Sequence, residues 1–144
     1  MSYSAVMDYI DRHVSEYVDQ LKELVALPSI SAGAEEDSSA ALQAAAAFLV
    51  DHLQACGLQA AAVDVAAGSN PLVVAQPVEL EAGKPTVLIY GHYDVQGVDN
   101  PRSAWHHDPF GAVEENGCLV GRGSSDNKGP CFAHVKAVEA ILKS

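Results

Sequence analysis

The chain has 144 residues, 49% of them hydrophobic, and a formal net charge of −11 at pH 7. This size and apolar content are sufficient for one compact domain with a core. The acidic charge and the eight scattered Lys and Arg residues argue against a nucleic-acid partner. No apolar run approaches the roughly 18 residues of a membrane span, and the start of the chain lacks the pattern of a signal peptide. We therefore expect a cytoplasmic protein that acts on a small molecule.

The chain has three cysteines, Cys56, Cys118 and Cys131. Their number is odd, and no two of them have the spacing of a zinc site or a redox pair. We expect buried thiols in a reducing compartment.

Apolar residues that recur every three or four positions predict three helices. The first covers residues 6–25 and is stopped by Pro28. A polar loop, residues 29–39, ends in a serine suited to cap the second helix, which is alanine-rich and stops at Gly57. The third helix covers residues 130–142 and has a proline in its first turn.

Short apolar runs predict the strands. Residues 59–65 and 72–75 flank a turn, and residues 86–90 have the composition of a strand buried on both faces of a parallel or mixed sheet. Asn116-Gly117, between two further apolar stretches, is favoured in a type I′ hairpin turn. The pattern as a whole predicts an α/β fold with helices on both faces of a mixed sheet.

The residues with readable chemistry follow the predicted strand at 86–90. His92 and Asp94 would lie at its carboxyl end, where open α/β sheets bind ligands, and an extended backbone points both side chains to one side. An imidazole and a carboxylate suit zinc or a similar cation, and Asp126, about one hairpin further on, could bridge two such ions. Alternatively, His92 and Asp94 simply form a hydrogen bond with each other at the end of a strand.

Two other interpretations use neighbouring residues. The glycine-rich loop before Lys128 could bind a phosphate group at a helix N-terminus. However, Lys128 is not followed by Ser or Thr, and Asp126 would repel the anion. His106 and His107 could be metal ligands, but adjacent side chains rarely point to the same side, so solvated loop histidines are the simpler interpretation.

Several motifs occur along the chain in a fixed order. They are Leu27-Pro28-Ser29-Ile30-Ser31, Gly91-His92-Tyr93-Asp94-Val95-Gln96, Trp105, Asp108-Pro109-Phe110, Asn116-Gly117, Gly121-Arg122-Gly123 and Asp126-Asn127-Lys128-Gly129-Pro130. This combination resembles the signature of the di-zinc metallopeptidases, a family of aminoacylases, carnosinase-type dipeptidases, glutamate carboxypeptidases, acetylornithine deacetylases and succinyl-diaminopimelate desuccinylases. The last motif and the cluster from Trp105 to Phe110 are most similar to those of the carnosinase-type dipeptidases.

The resemblance implies a three-layer α/β/α catalytic domain with a mixed sheet, of which residues 1–144 would be the N-terminal half. It implies that His92 is a ligand of one metal and that Asp94 is the carboxylate that orients it. Asp126 would bridge two divalent metal ions, most simply zinc, with cobalt or manganese as alternatives. The resemblance also implies a cis peptide bond between Asp126 and Asn127.

Two features depart from the family pattern. Gly97 stands where the family usually has a proline. The family's Glu-Glu pair, which includes its general base, cannot be placed in this chain, and neither can the remaining metal ligands or the lid or dimerisation domain. The adjacent acids Glu114 and Glu115 lie within the predicted hairpin, and we interpret them as part of a solvated turn.

The resemblance therefore implies metal-dependent hydrolysis of a peptide or amide bond in dipeptides or small N-acyl amino acids. This would be the activity of a longer, homodimeric enzyme, with the present segment inactive by itself and with no nucleic-acid or membrane partner. The alternative is a non-catalytic α/β binding or assembly module derived from such an enzyme, which an uncovered sheet edge would favour.

Overall fold

The structure, a computed structural model, describes residues 2–32, 38–99 and 101–144. Within these residues, the helices are α1 (Tyr3–Ala26), α2 (Ser39–Ala55) and α3 (Lys128–Lys143), with one turn of 3-10 helix at Arg102–Ala104. The strands are β1 (Ile30–Ala32), β2 (Gln59–Val63), β3 (Leu72–Gln76), β4 (Val95–Gln96), β5 (Val113–Glu115) and β6 (Cys118–Val120). Part of the predicted loop at 29–39 lies outside the described residues. None of the described helices is long and apolar enough to cross a membrane.

The three predicted helices are confirmed. Helix α1 begins earlier than predicted because the Ser2 hydroxyl caps it, accepting a hydrogen bond of 3.2 Å from the Ala5 amide. Helix α2 begins at Ser39 itself, so the predicted cap position is already helical, and the chain leaves the helix at Gly57 with a φ of 93°. Helix α3 includes Pro130 in its first turn, as predicted.

The three helices pack around a small apolar core. Five buried residues form its centre: Leu24, Ala45, Leu49, Phe132 and Val135. The ring of Phe48 extends this cluster and lies 5.8 Å from the ring of Phe132. Each large side chain buried in this way contributes about 1.5–3 kcal/mol to stability. The core holds the C-terminal end of α1 close to the first half of α3.

A polar cluster joins the same three helices. The Lys136 ammonium lies 2.7 Å from Glu139 Oε2, and the two side chains are only 7% and 15% exposed. The Tyr17 hydroxyl donates to Glu139 Oε1 over 3.0 Å, and His52 Nδ1 lies 3.2 Å from the ammonium. Burial alone would raise the pKa of Glu139, but the hydrogen bond and charge of Lys136 outweigh it and hold that pKa below its ordinary value. The buried charges are therefore paired, as low-dielectric surroundings require.

Two predicted hairpins are confirmed. Strands β2 and β3 are antiparallel with Gln59 opposite Gln76, and β5 and β6 are antiparallel with Glu115 opposite Cys118. The turn between β5 and β6 has φ values of 52° at Asn116 and 77° at Gly117, the positive pair that a type I′ turn needs.

Residues 86–90 do not form the buried strand that their composition predicts. Val87 and Leu88 are 79% and 92% exposed, and within the described part of the chain no strand is hydrogen-bonded to this segment. The described strands form three separate pairs, β1–β4, β2–β3 and β5–β6, so the predicted mixed sheet is not continuous. A strand is stabilised by its neighbours, and composition alone does not supply them.

The prediction of three buried thiols is correct for Cys56 only. Cys131, in the first turn of α3, is partly buried, and Cys118 is exposed at the start of β6. Cys118 directly follows the tight turn of a two-stranded hairpin, where side chains project into solvent. Burial raises the pKa of the Cys56 and Cys131 thiols.

Candidate metal centre

His92 and Asp126 meet in space although 34 residues separate them in sequence. The distance from His92 Nε2 to Asp126 Oδ1 is 3.1 Å. The His92 side chain is 38% exposed and the Asp126 side chain 87% exposed, so the pair is open to solvent. The structure thus brings together the imidazole and the carboxylate that the sequence singled out.

Asp94 holds the other nitrogen of the same ring. His92 Nδ1 lies 3.2 Å from the Asp94 carboxylate oxygen Oδ1 and 3.1 Å from the Asp94 backbone carbonyl oxygen. Both atoms are acceptors, so Nδ1 carries a proton, and in the neutral ring the lone pair is therefore on Nε2. The hydrogen bond between His92 and Asp94 also directs Nε2 towards Asp126. It is therefore compatible with a metal site rather than an alternative to one.

This arrangement leaves two lone pairs facing each other. Nε2 of His92 and Oδ1 of Asp126 are both acceptors 3.1 Å apart, so a proton or a metal ion between them is needed to make the contact favourable. Two ligands that each bind zinc at roughly 2.0–2.2 Å lie about 3.3–3.6 Å apart at a tetrahedral angle, and the observed 3.1 Å is only slightly shorter. The donor atoms and their separation therefore fit one divalent ion. In the part of the chain that the structure describes, no group of three or more His, Cys, Asp or Glu side chains is arranged to hold an ion.

The dipeptide Asp126-Asn127 also anchors the backbone of His92. The peptide bond between Asp126 and Asn127 is cis, as the family resemblance implied. The Asn127 side-chain oxygen Oδ1 accepts a hydrogen bond of 3.3 Å from the His92 amide. Asp126 and Asn127 therefore contact the side chain and the main chain of His92 respectively.

Gly91 allows the His92 segment to approach α3 closely. A Cβ atom at this position would lie 3.0 Å from both Cβ and Sγ of Cys131 and 3.3 Å from Asn127 Oδ1. These distances are tighter than ordinary van der Waals contacts, so any larger residue would push the two segments apart. Sequence reasoning did not assign this role, and the only signal for it is the position of Gly91 directly before His92.

Lys128 follows the candidate ligand by two residues and is fully buried. Its Nζ donates hydrogen bonds to the carbonyl oxygen of Leu24, at 3.0 Å, and to that of Leu27. Burial lowers the pKa of Lys128 to about 8. The side chain is directed to the end of α1, so the interpretation of the glycine-rich loop as a phosphate site that uses Lys128 is wrong.

The loop after β4 is held by Arg122. The Arg122 guanidinium carbon lies 5.0 Å from the centroid of the Trp105 ring, and Nη2 donates to the Gly97 carbonyl over 3.3 Å. The Arg122 amide donates to the carbonyl of the buried Pro109 over 2.6 Å. The aromatic and proline cluster is thus a packed loop, as predicted, and Gly97 is tied to it through its carbonyl.

The remaining polar candidates lie on the hairpin surface. Glu114 forms an ion pair with Lys22, and Glu115 lies 3.3 Å from His107 Nε2. Glu114, Glu115 and His106 are exposed, as expected for a solvated turn and loop.

Comparison with known proteins confirms the predicted α/β fold and shows a similarity to part of a peptidase. Residues 88–144 match the family model described as Peptidase family M20/M25/M40. The Beta-Ala-His dipeptidase of Homo sapiens is 38% identical over 144 aligned residues, which cover 94% of this chain and 28% of that protein. The Cys-Gly metallodipeptidase dug1 of Schizosaccharomyces pombe is 31% identical over 148 residues, which cover 97% of this chain and 30% of that protein.

Solved structures show the same relationship at the level of the fold. The crystal structure of human carnosine dipeptidase 1 matches with a TM-score of 0.82 and 38% identity, covering 96% of this chain and 30% of that one. The dipeptidase Dug1p from Saccharomyces cerevisiae matches with a TM-score of 0.82 and 25% identity, covering 97% of this chain and 31% of that one. The chain is thus similar to part of a Peptidase family M20/M25/M40 domain, and the predicted resemblance to the carnosinase-type dipeptidases is confirmed. It spans about 30% of the length of these relatives.

Proposed function

We propose that this chain contributes part of the metal site of a di-metal peptidase that hydrolyses dipeptides or small N-acyl amino acids. The observation that carries the proposal is the 3.1 Å separation of His92 Nε2 and Asp126 Oδ1, with the other ring nitrogen held by Asp94. The similar proteins are named as Beta-Ala-His and Cys-Gly dipeptidases, which supports a small peptide as the substrate.

Each of the three side chains has a separate role in this proposal. His92 would hold one metal ion through Nε2, and Asp126 would be a carboxylate ligand shared by two ions. Asp94 accepts the Nδ1 proton and so keeps the imidazole in the tautomer that can bind. Two divalent ions, in the first instance zinc, would supply Lewis acidity and lower the pKa of a bound water towards neutrality.

The rest of the ligand set and the proton acceptor would come from polypeptide beyond these 144 residues. Residues 1–144 would then be the N-terminal part of a catalytic domain whose complete form is a cytoplasmic homodimer. We expect the 144-residue chain to bind zinc more weakly than a complete site and to show no measurable hydrolysis, because two ligands do not hold two ions.

A second candidate function is a non-catalytic assembly module. Leu88 and Tyr90 are 92% and 80% exposed in a segment with the composition of a strand. An exposed segment of this kind can pair as a strand with another chain. This function would require neither His92 nor Asp126.

Zinc titration by calorimetry separates the two candidates. We expect the wild-type chain to bind zinc in the micromolar range and His92→Ala and Asp126→Ala each to lose this binding. His106→Ala, which removes an exposed histidine outside the pair, is the matched control and should bind as the wild type does. Unchanged binding in His92→Ala would contradict the ligand assignment. A folded wild-type chain that binds no zinc would favour the assembly module.

A further inference from the structure

Ser31 contacts the second oxygen of the Asp94 carboxylate. Asp94 Oδ1 lies 3.2 Å from His92 Nδ1, whereas Asp94 Oδ2 accepts a hydrogen bond from the Ser31 hydroxyl. The terminal torsion of an aspartate side chain is broad, so a carboxylate held by one oxygen rotates readily. A bond to the other oxygen fixes the plane of the group and with it the direction in which Oδ1 faces the imidazole.

A β-bulge places Ser31 beside the Asp94 carboxylate. Strands β1 and β4 run parallel, with Ile30 opposite Val95 and Ala32 opposite Gln96, which leaves Ser31 as the extra residue. A bulge of this kind redirects a side chain, and bulges are frequent beside functional sites. Ser31 is exposed, so its hydroxyl is not needed to fill the core.

Ser29 has a different role from Ser31. The Ser29 hydroxyl donates to the Tyr93 carbonyl over 2.7 Å, and the Ser29 carbonyl accepts from the Val95 amide over 2.9 Å. Ser29 is fully buried, and these two bonds connect it to main-chain atoms of the segment that follows His92. It therefore holds the two segments together, whereas Ser31 extends from the same loop to a side chain of the candidate site.

We propose that Ser31 is a positioning residue of the metal centre, acting through the Asp94 carboxylate on the imidazole of His92. This inference rests on the proposed function. The order of contacts is Ser31 hydroxyl, Asp94 carboxylate and His92 ring, and it ends with Nε2 facing Asp126. Loss of a group that forms a hydrogen bond with a metal ligand typically weakens metal binding 10- to 100-fold. Ser31 is one contact further from the metal, so we expect a loss near the lower end of that range.

Zinc calorimetry on a double-mutant cycle tests the route of the effect. Ser31→Ala should weaken zinc binding about tenfold, and Ser31→Thr, which keeps the hydroxyl on a residue that suits a strand, should restore it. In an Asp94→Ala background, Ser31→Ala should cause no further loss. Ser69→Ala removes a hydroxyl from an exposed turn and is the matched control. Equal losses from Ser31→Ala in both backgrounds would overturn the proposal.

A measurement on the metal-free chain separates the role of Ser31 from the proposed binding of metal. The ring nitrogen resonances of His92 in the metal-free chain should indicate one tautomer with the proton on Nδ1. Ser31→Ala should move them towards the average of the two tautomers, and Ser31→Thr should not. Unchanged resonances in Ser31→Ala would overturn the role of Ser31. Shifted resonances in that variant, together with a wild-type chain that binds no zinc, would support Ser31 and overturn the metal function.

Discussion

The ammonium of Lys128 lies 3.0 Å from the carbonyl oxygen of Leu24, a residue 104 positions earlier in the chain. With its second bond to Leu27, it binds two carbonyl groups at the end of α1, each of which also accepts a main-chain amide, from Leu27 and Ser29 respectively. Lys128 follows Asp126 by two residues, and Leu27 begins the loop that carries Ser31. One buried side chain therefore joins the two segments that supply the candidate site.

Replacement of Lys128 by methionine tests this anchor. The change keeps most of the apolar volume but removes two hydrogen bonds from the ammonium, to the carbonyl oxygens of Leu24 and Leu27, each worth about 1–2 kcal/mol. We expect Lys128→Met to lower the free energy of unfolding by about 2–4 kcal/mol, measured by urea denaturation.

Lys84→Met is the control for the Lys128 variant. Lys84 is two-thirds exposed and forms an ion pair with the equally exposed Glu81, so its loss should change stability by less than about 0.5 kcal/mol. Similar effects of the two substitutions would show that Lys128 does not act as a buried anchor.

The Lys136–Glu139 cluster predicts a specific dependence of stability on pH. The folded state holds the pKa of Glu139 below its ordinary value of 4.5, so the unfolded chain takes up this proton first on acidification. The stabilising contribution is complete above that value and is lost as the pH falls through the lowered pKa. Glu139→Gln should therefore be less stable than the wild type at neutral pH, and the difference should shrink below pH 4.5.

Thermal unfolding followed at a series of pH values measures this difference. Glu79→Gln removes an exposed carboxylate elsewhere in the chain and should give a small, nearly constant difference. A constant difference for Glu139→Gln as well would mean that Glu139 is not preferentially ionised in the folded state.

The close approach at Gly91 predicts that even alanine is poorly tolerated there. The added Cβ would meet Cys131 at 3.0 Å and push the His92 segment away from α3. We expect Gly91→Ala to cost about 1–3 kcal/mol of stability and to weaken zinc binding together with it. Cys131→Ala removes the Sγ contact and should recover part of both losses. No recovery in the double variant would show that the crowding is not at Cys131.

The exposed run at 86–90 predicts concentration-dependent association of the chain. Leu88→Lys places a charge at its most exposed apolar position and should reduce association in sedimentation velocity, with stability changed by less than about 0.5 kcal/mol. Leu80→Lys changes a residue that is 73% exposed but lies outside the run, and should leave association as it is. Equal effects of the two variants would mean that association is driven by general hydrophobicity.

Features set by local pattern were predictable from the sequence. The spacing of apolar residues predicted α1, α2 and α3 because it is a property of each segment by itself. Asn116-Gly117 predicted its turn for the same reason, since both residues accept positive φ. The ordered motifs also singled out His92, Asp94 and Asp126, and the structure brings these three side chains together.

Features that depend on a distant partner were not predictable in this way. The 86–90 run has a strand-like composition, but a strand also needs a neighbour, and composition carries no information about one. Lys128 suggested a phosphate site because nothing near it in sequence indicates that its partners are Leu24 and Leu27. The contact of Ser31 with Asp94 depends on a one-residue bulge, which shifts a side chain without leaving a pattern in the sequence.

The anchor at Lys128 also determines where the chain can be cut. An opening in the exposed turn around Gly68 leaves the junction between α1, Lys128 and the candidate site intact, so a circular permutant or a protease-nicked form with ends there should keep the His92–Asp126 contact. An opening between Leu27 and Ser31 would separate Ser31 from the hydrogen bonds that Lys128 makes to Leu24 and Leu27. A version of this chain without its first 31 residues should accordingly lose the site even though His92, Asp94 and Asp126 all remain in it.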